Sequence, residues 1–348
     1  MDTRETPEMI DEEVARRFLE DDESVNLSEA TQISNGAAEI LAGYEGDLEL
    51  LGLTSISDAS GESLSSHKGF LSLRGLTDLS GAMAEPLSRH GELSLSGLTG
   101  LSDEAAVLLS RNEGDLYLNG LTAITEASAE ALSLHKGLLC LNGLTEISDA
   151  VAESLSKNDG SLSLDGISSL PDAAAESLAK HKGDLYLNGL TALSAVAANS
   201  LSKHKGALYL EVLTSLENVA LAETQIEHEG LLAFDQLTSL PDDVAQVLSK
   251  HVGGLSFDGL TSISETTAKA LSSVGDTLCL NGLTELSDAA AEALAGIEGE
   301  LFLYSLTELS PQAAKYLQAL DWKVYTNLDL RELAGDEDCD EDYEDDEY

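Results

Sequence analysis

The sequence predicts an α/β solenoid, with a parallel strand face on one side and short helices on the other. Three observations predict it. A segment recurs every 23 residues, each copy holds two different hydrophobic periods, and only 4 % of residues are aromatic. A fixed period of this size marks one supersecondary unit stacked on copies of itself. Thin, like layers need small aliphatic side chains, so Leu and Ala carry the core.

The strand comes first in each copy. Aligned on Leu185-Tyr-Leu-Asn-Gly-Leu-Thr-Ala-Leu-Ser, close copies begin at Leu48, Leu71, Leu93, Leu116, Leu139, Leu162, Leu208, Leu232, Leu255, Leu278 and Leu301. Leu185 and Leu187 alternate with Tyr186 and Asn188, which is the period-two pattern of a short strand with both leucines inward. The turn comes second. Gly189 suits a backbone that bends or takes positive φ, after which Leu190 and Leu193 point inward again. The helix comes third. Ser287-Asp288 reads as its start, a capping hydroxyl beside a carboxylate at the positive end of the dipole. Ala290, Ala291 and Leu294 then share one face. Pro171-Asp172 and Pro241-Asp242 take the starting role elsewhere, and Glu217 does so in the unit from Leu208. The exit reads His204-Lys205-Gly206, with Gly in a left-handed cap and Lys near the negative end of the dipole.

The ends differ from the middle. Residues 1–24 are expected to form a capping helix over 7–20, with Ile10, Val14 and Phe18 on one face. Residues 25–330 form the solenoid, with degenerate strands at Val25 and Val324. Residues 331–348 are expected to be a disordered acidic tail, since 336–348 hold ten carboxylates and no basic group.

The pattern Leu185-x-Leu187-x-x-Leu190 and its equivalents resemble the leucine-rich repeat family. That resemblance implies a leucine-rich-repeat-like horseshoe that binds protein on its strand face. Where the family carries Asn or Cys after the strand, this chain carries Leu or Ile. The pattern is similar to an atypical bacterial class, the planctomycete-type arrays.

Charge narrows the partner. The chain has 64 acidic and 18 basic residues, a net charge of −46. That disfavours nucleic acid and anionic membranes and favours a basic protein or peptide. The first residues are acidic and lack the apolar core of a signal segment, so a cytoplasmic protein is expected. Phosphate-loop, dinucleotide, His-Glu-x-x-His and nucleophile-elbow motifs are absent. No enzyme, no cofactor and no metal are expected.

Several rows carry polar chemistry. His67, His90, His135, His181, His204, His228 and His251 share one slot. They read either as a metal- or pH-sensing edge or as a copied feature of the helix exit, the reading favoured here. Asn119, Asn142, Asp165, Asn188, Glu211, Asp235, Asp258 and Asn281 follow the second strand leucine, either as a track for a cationic partner or as a ladder along the stack. Thr occupies the next turn slot in twelve copies. It is expected to bridge coils through buried hydroxyls in place of the missing Asn. Cys140 and Cys279 lie six units apart, beyond disulfide reach. The binding site is expected at Tyr186, Tyr209, Glu211 and Asp235, where outward aromatics meet the most irregular units. The rival functions are an acidic spacer without a specific ligand and an acidic mimic of nucleic acid.

Overall fold

The structure is a computed structural model that describes residues 5–335. The chain forms two compact units, dividing between Leu210 and Glu211. In the first unit an eight-stranded parallel sheet runs in chain order from Leu48–Glu49 to Leu208–Tyr209. The register is one to one, with Leu185 opposite Leu162 and Leu208 opposite Leu185. Before it, Met9–Ile10 pairs in parallel with Gln32–Ile33. In the second unit five parallel strands run in chain order from Leu232–Ala233 to Val324–Thr326.

Each coil closes the same small core. Leu185, Leu187 and Leu190 are fully buried from the strand side, and Ala197 and Leu201 from the helix side. Burial of each such leucine stabilises by roughly 1.5–3 kcal/mol. The strand backbone is satisfied by the next coil: Leu185 N–H donates to Ala207 O at 2.8 Å and Leu187 N–H to Tyr209 O at 3.0 Å. Most helices span seven residues, such as Ala195–Leu201.

Helix starts are themselves linked from coil to coil. Ser194 Oγ accepts the Ala197 N–H at 3.0 Å. The capping hydroxyl also donates backward, from Thr125 to Asp103 and from Ser264 to Asp242, both at 2.5 Å. Asp103 and Asp242 therefore each serve their own helix dipole and the next coil's cap. Pro171 and Pro241 start their helices without a side-chain cap.

The structure corrects four local expectations. The first helix spans Glu12–Glu20, because the Asp11 side chain takes the Glu13 and Val14 N–H groups and Met9–Ile10 is drawn into a strand. In the irregular unit the helix cap is Asn218 rather than Glu217, with the Leu221 N–H on Asn218 Oδ1 at 2.8 Å. The repeat helices exit right-handed, as at Ser202, and positive-φ glycines among the described residues are only Gly230 and Gly335. The glycines are needed for space: a Cβ on Gly143 would collide with the carbonyl oxygens of Asn119 and Leu121. Finally, ordered structure runs past residue 330. Asp329 caps the helix Leu330–Ala334, and Gly335 closes it at φ 74°. The acidic segment 336–348, with Cys339, lies outside the described residues.

Candidate functional site

The strand face is built from two outward slots per coil, one within the strand and one just after it. The slot within the strand holds Ser72, Ser94, Tyr117, Cys140, Ser163, Tyr186 and Tyr209 in successive coils of the first unit. The serines and Cys140 are buried by their neighbours, whereas Tyr117, Tyr186 and Tyr209 stand partly out. Tyr186 and Tyr209 stack face to face, with centroids 4.3 Å apart and planes 2° from parallel. One-to-one strand register brings the rings together, since like positions in adjacent strands lie about 4.8 Å apart. Burial and the neighbouring Tyr209 raise the Tyr186 hydroxyl to about 12, so Tyr186 is a neutral donor at physiological pH. Tyr117 is likewise pushed up to about 12, by burial first and by Glu92, which accepts from its hydroxyl at 3.2 Å.

The slot after the strand is a ladder. Asn142 N–H donates to Asn119 Oδ1 at 3.0 Å, Asp165 N–H to Asn142 Oδ1 at 3.0 Å, and Asn188 N–H to Asp165 Oδ1 at 2.9 Å. The second unit repeats this, with Asp258 N–H on Asp235 Oδ1 at 3.2 Å and Asn281 N–H on Asp258 Oδ1 at 3.0 Å. Each side-chain oxygen thus satisfies the next coil's orphan N–H. A carboxylate does this as well as an amide, which is why Asp and Asn alternate in the row. Just before the strands, Asp115 and Asp184 accept N–H groups from Leu138 at 2.9 Å and Ala207 at 3.1 Å.

Of the four expected site residues, the structure brings Tyr186 and Tyr209 together on the first unit. Glu211 and Asp235 belong to the second unit, where Glu211 is exposed and Asp235 is a ladder member. The second unit has its own stacked pair, Phe302 on Tyr325 at 4.5 Å and 5°. The sequence places Tyr186 and Tyr209 outward in adjacent coils, and Phe302 and Tyr325 occupy the equivalent slot near the C-terminal end. Register makes them stacks.

The threonine row does not bridge coils through buried hydroxyls. Thr54, Thr77, Thr145 and Thr191 are exposed, as are their equivalents. The Asn and Asp slot supplies the coil-to-coil acceptor that the threonine row is expected to supply. Thr307 Oγ1 does donate to Thr284 O at 3.1 Å, at the surface.

The histidine row is buried behind the helix exits. His67, His90, His135, His181, His204 and His251 are all at most 7 % exposed. Burial lowers the imidazoles of His67, His135, His181 and His204 from their ordinary value, and lowers His90 to about 4. His67 and His90 stack at 5.6 Å, and His181 and His204 at 6.0 Å. Asn112 and Asn158 take the same slot, donating to the carbonyls of His90 at 2.5 Å and His135 at 2.7 Å. Among the described residues no three His, Cys, Asp or Glu side chains converge as metal ligands. Cys140 and Cys279 are free thiols, and burial pushes Cys140 up to about 12, far from a reactive thiolate.

A stack of one-strand, one-helix coils with parallel strands in register defines a repeat solenoid. No family model matches the chain, and no curated protein is significantly similar to it. Solved structures are similar in fold. A leucine-rich-repeat protein of Leptospira interrogans aligns at a TM-score of 0.54 and 19 % identity, over 92 % of this chain and 81 % of that one. An internalin of Listeria monocytogenes aligns at 0.52 and 16 %, over 90 % and 93 %. A chain from the Toll–Spatzle complex of Drosophila aligns at 0.51 and 15 %, over 80 % and 43 %. The chain has the leucine-rich-repeat fold. No helix among the described residues is long and apolar enough to cross a membrane.

Proposed function

We propose that this protein is a non-enzymatic recognition scaffold whose strand face holds a basic protein or peptide. The observation that carries the reading is the stacked, half-exposed Tyr186–Tyr209 pair on the outward strand slot. Paired aromatics lose little side-chain entropy on binding and present a flat apolar face with hydroxyl donors, the chemistry of interface anchors. Carboxylates along the same face select for basic partners. In the second unit Glu211 and Asp235 are the carboxylates proposed to serve this role on that unit's own face. The Toll–Spatzle complex provides a case in which a chain of similar fold takes part in a protein complex.

The test is capture of basic partners by the full chain, compared with a Tyr186→Ala, Tyr209→Ala double variant. A specific partner survives high salt on the native chain and binds the variant about a hundredfold more weakly, since two anchors are lost. Unchanged affinity with the fold intact moves the site elsewhere. Capture that disappears wholly in salt supports the nucleic-acid mimic, and no capture at all supports the spacer.

A further inference from the structure

Basic residues are scarce in this chain, with 18 against 64 acidic ones. Four of them gather at one place in the first unit. Lys180 and Lys182 flank His181 at one helix exit, and Lys203 and Lys205 flank His204 at the next. Together they line a concavity of about 950 Å³ on the helix side, with the half-exposed Val196 on its wall. Lys180 lies 3.6 Å from Glu176, and Lys182 lies 2.9 Å from Asp159. Lys203 and Lys205 form no ion pair among the described residues and are left as unneutralised cations.

His181 lines the same concavity, is 1 % exposed, and stacks on His204 at 6.0 Å. The stacked rings form a packed floor beneath the two helix exits that carry the four lysines.

We propose that this concavity is a second binding site, and that it takes a short acidic peptide segment. The lysines repeat as like pairs in adjacent coils, on either side of His181 and His204, whose rings lie 6.0 Å apart, so the ligand carries its own anions in a row. Val196 and the stems of the lysines offer apolar surface for a side chain between those anions. Length decides between a peptide and a nucleic acid. Beyond one Debye length, about 8 Å at physiological salt, a long polyanion meets the chain's net charge of −46. A segment of a few residues meets chiefly the local lysines. The site is separate from the strand face and selects the opposite charge.

The experiment uses the full chain and a fluorescein-labelled peptide of ten residues, rich in Glu and carrying one Leu, followed by anisotropy. Saturable binding is expected, weakening as salt rises. A Lys203→Gln, Lys205→Gln variant is expected to lose roughly tenfold in affinity, as two charged contacts are removed. Both side chains are exposed, so its melting temperature serves as the check that the fold is intact. The Tyr186→Ala, Tyr209→Ala variant is expected to bind as the native chain does, which separates this site from the strand face. Absence of binding, indifference to the lysine substitutions, or equally tight binding of a ten-nucleotide single strand would overturn the proposal.

Discussion

The same slot is filled differently in the two units. In the first, the position behind each helix exit holds His67, His90, Asn112, His135, Asn158, His181 and His204 in consecutive coils. In the second it begins with His228 and His251 and continues as Val274, Ile297 and Leu320, all three buried. The apolar residues show that the slot needs only volume and burial. Polarity in the first unit is therefore an addition, and it has two energetic faces. Asn112 and Asn158 work for the fold by satisfying carbonyls of the preceding coil. The ring nitrogens of His135, His181 and His204 make no well-aligned hydrogen bond, although backbone groups lie beside them. One row thus holds residues that stabilise and residues that do not.

Substitution separates them. Asn112→Leu gives the first unit a residue of the kind the second uses. It strips the carbonyls of His90 and Gly91 of a donor and the Gly114 N–H of an acceptor. Orphaned buried groups cost about 1–3 kcal/mol each, so the variant is expected to lose about 3 kcal/mol by urea denaturation. A neutral result would make the two units equivalent and the amide bonds idle.

Acid separates the units themselves. Burial holds His67, His90, His135, His181 and His204 below the ordinary imidazole range. Their contribution is present above the unfolded pKa of about 6.5 and is lost as pH falls below it, because the unfolded chain takes up protons first. Most carboxylates remain ionised until about pH 4, so stability is expected to fall steadily between pH 7 and 5. Hydrogen exchange, corrected for intrinsic rates, should show the helix exits of the first unit losing protection while those at Val274 and Ile297 hold theirs. Equal loss in both would assign the acid sensitivity to something other than the row.

The smallest effect sharpens the comparison most. His135→Leu removes two unsatisfied nitrogens and keeps the burial. It is expected to raise stability by about 1 kcal/mol, and to flatten the decline with acid. Destabilisation would mean that His135 has a partner in solution.

The repeat itself was fully legible. Period two located every strand from Leu48 to Leu301, and the Ala and Leu face located the helices, because stacking lets each side chain meet a copy of its neighbour. The break between Leu210 and Glu211 falls within the stretch where the period lengthens and glycine is replaced by Val212. What periodicity could not tell was which side of the turn a row occupies. Threonine and histidine rows look alike as patterns, yet the first is exposed and the second buried. Threonine lies in the turn after the strand and histidine in the turn after the helix, and neither turn carries a hydrophobic period that says which way its residues point. The Tyr186–Tyr209 pair was visible as two residues, and its stacking followed from register. The lysine-lined concavity was missed, because lysine beside histidine reads as repeat punctuation until two coils are laid side by side. The signal was present in the spacing of Lys180, Lys182, Lys203 and Lys205.

Glycine at Gly143 is required by the backbone of the preceding coil, and the same holds at Gly137, where a Cβ would meet the carbonyl of Gly114. A coil that keeps its glycines therefore carries the notch into which its predecessor fits. Any coil copied in full brings its notch with it and mates with whichever coil precedes it. An insertion of half a coil brings a strand without its notch, or the reverse. The gene for such a protein can grow or shrink by duplication in whole steps of one coil, and each intermediate length is already a fitted structure.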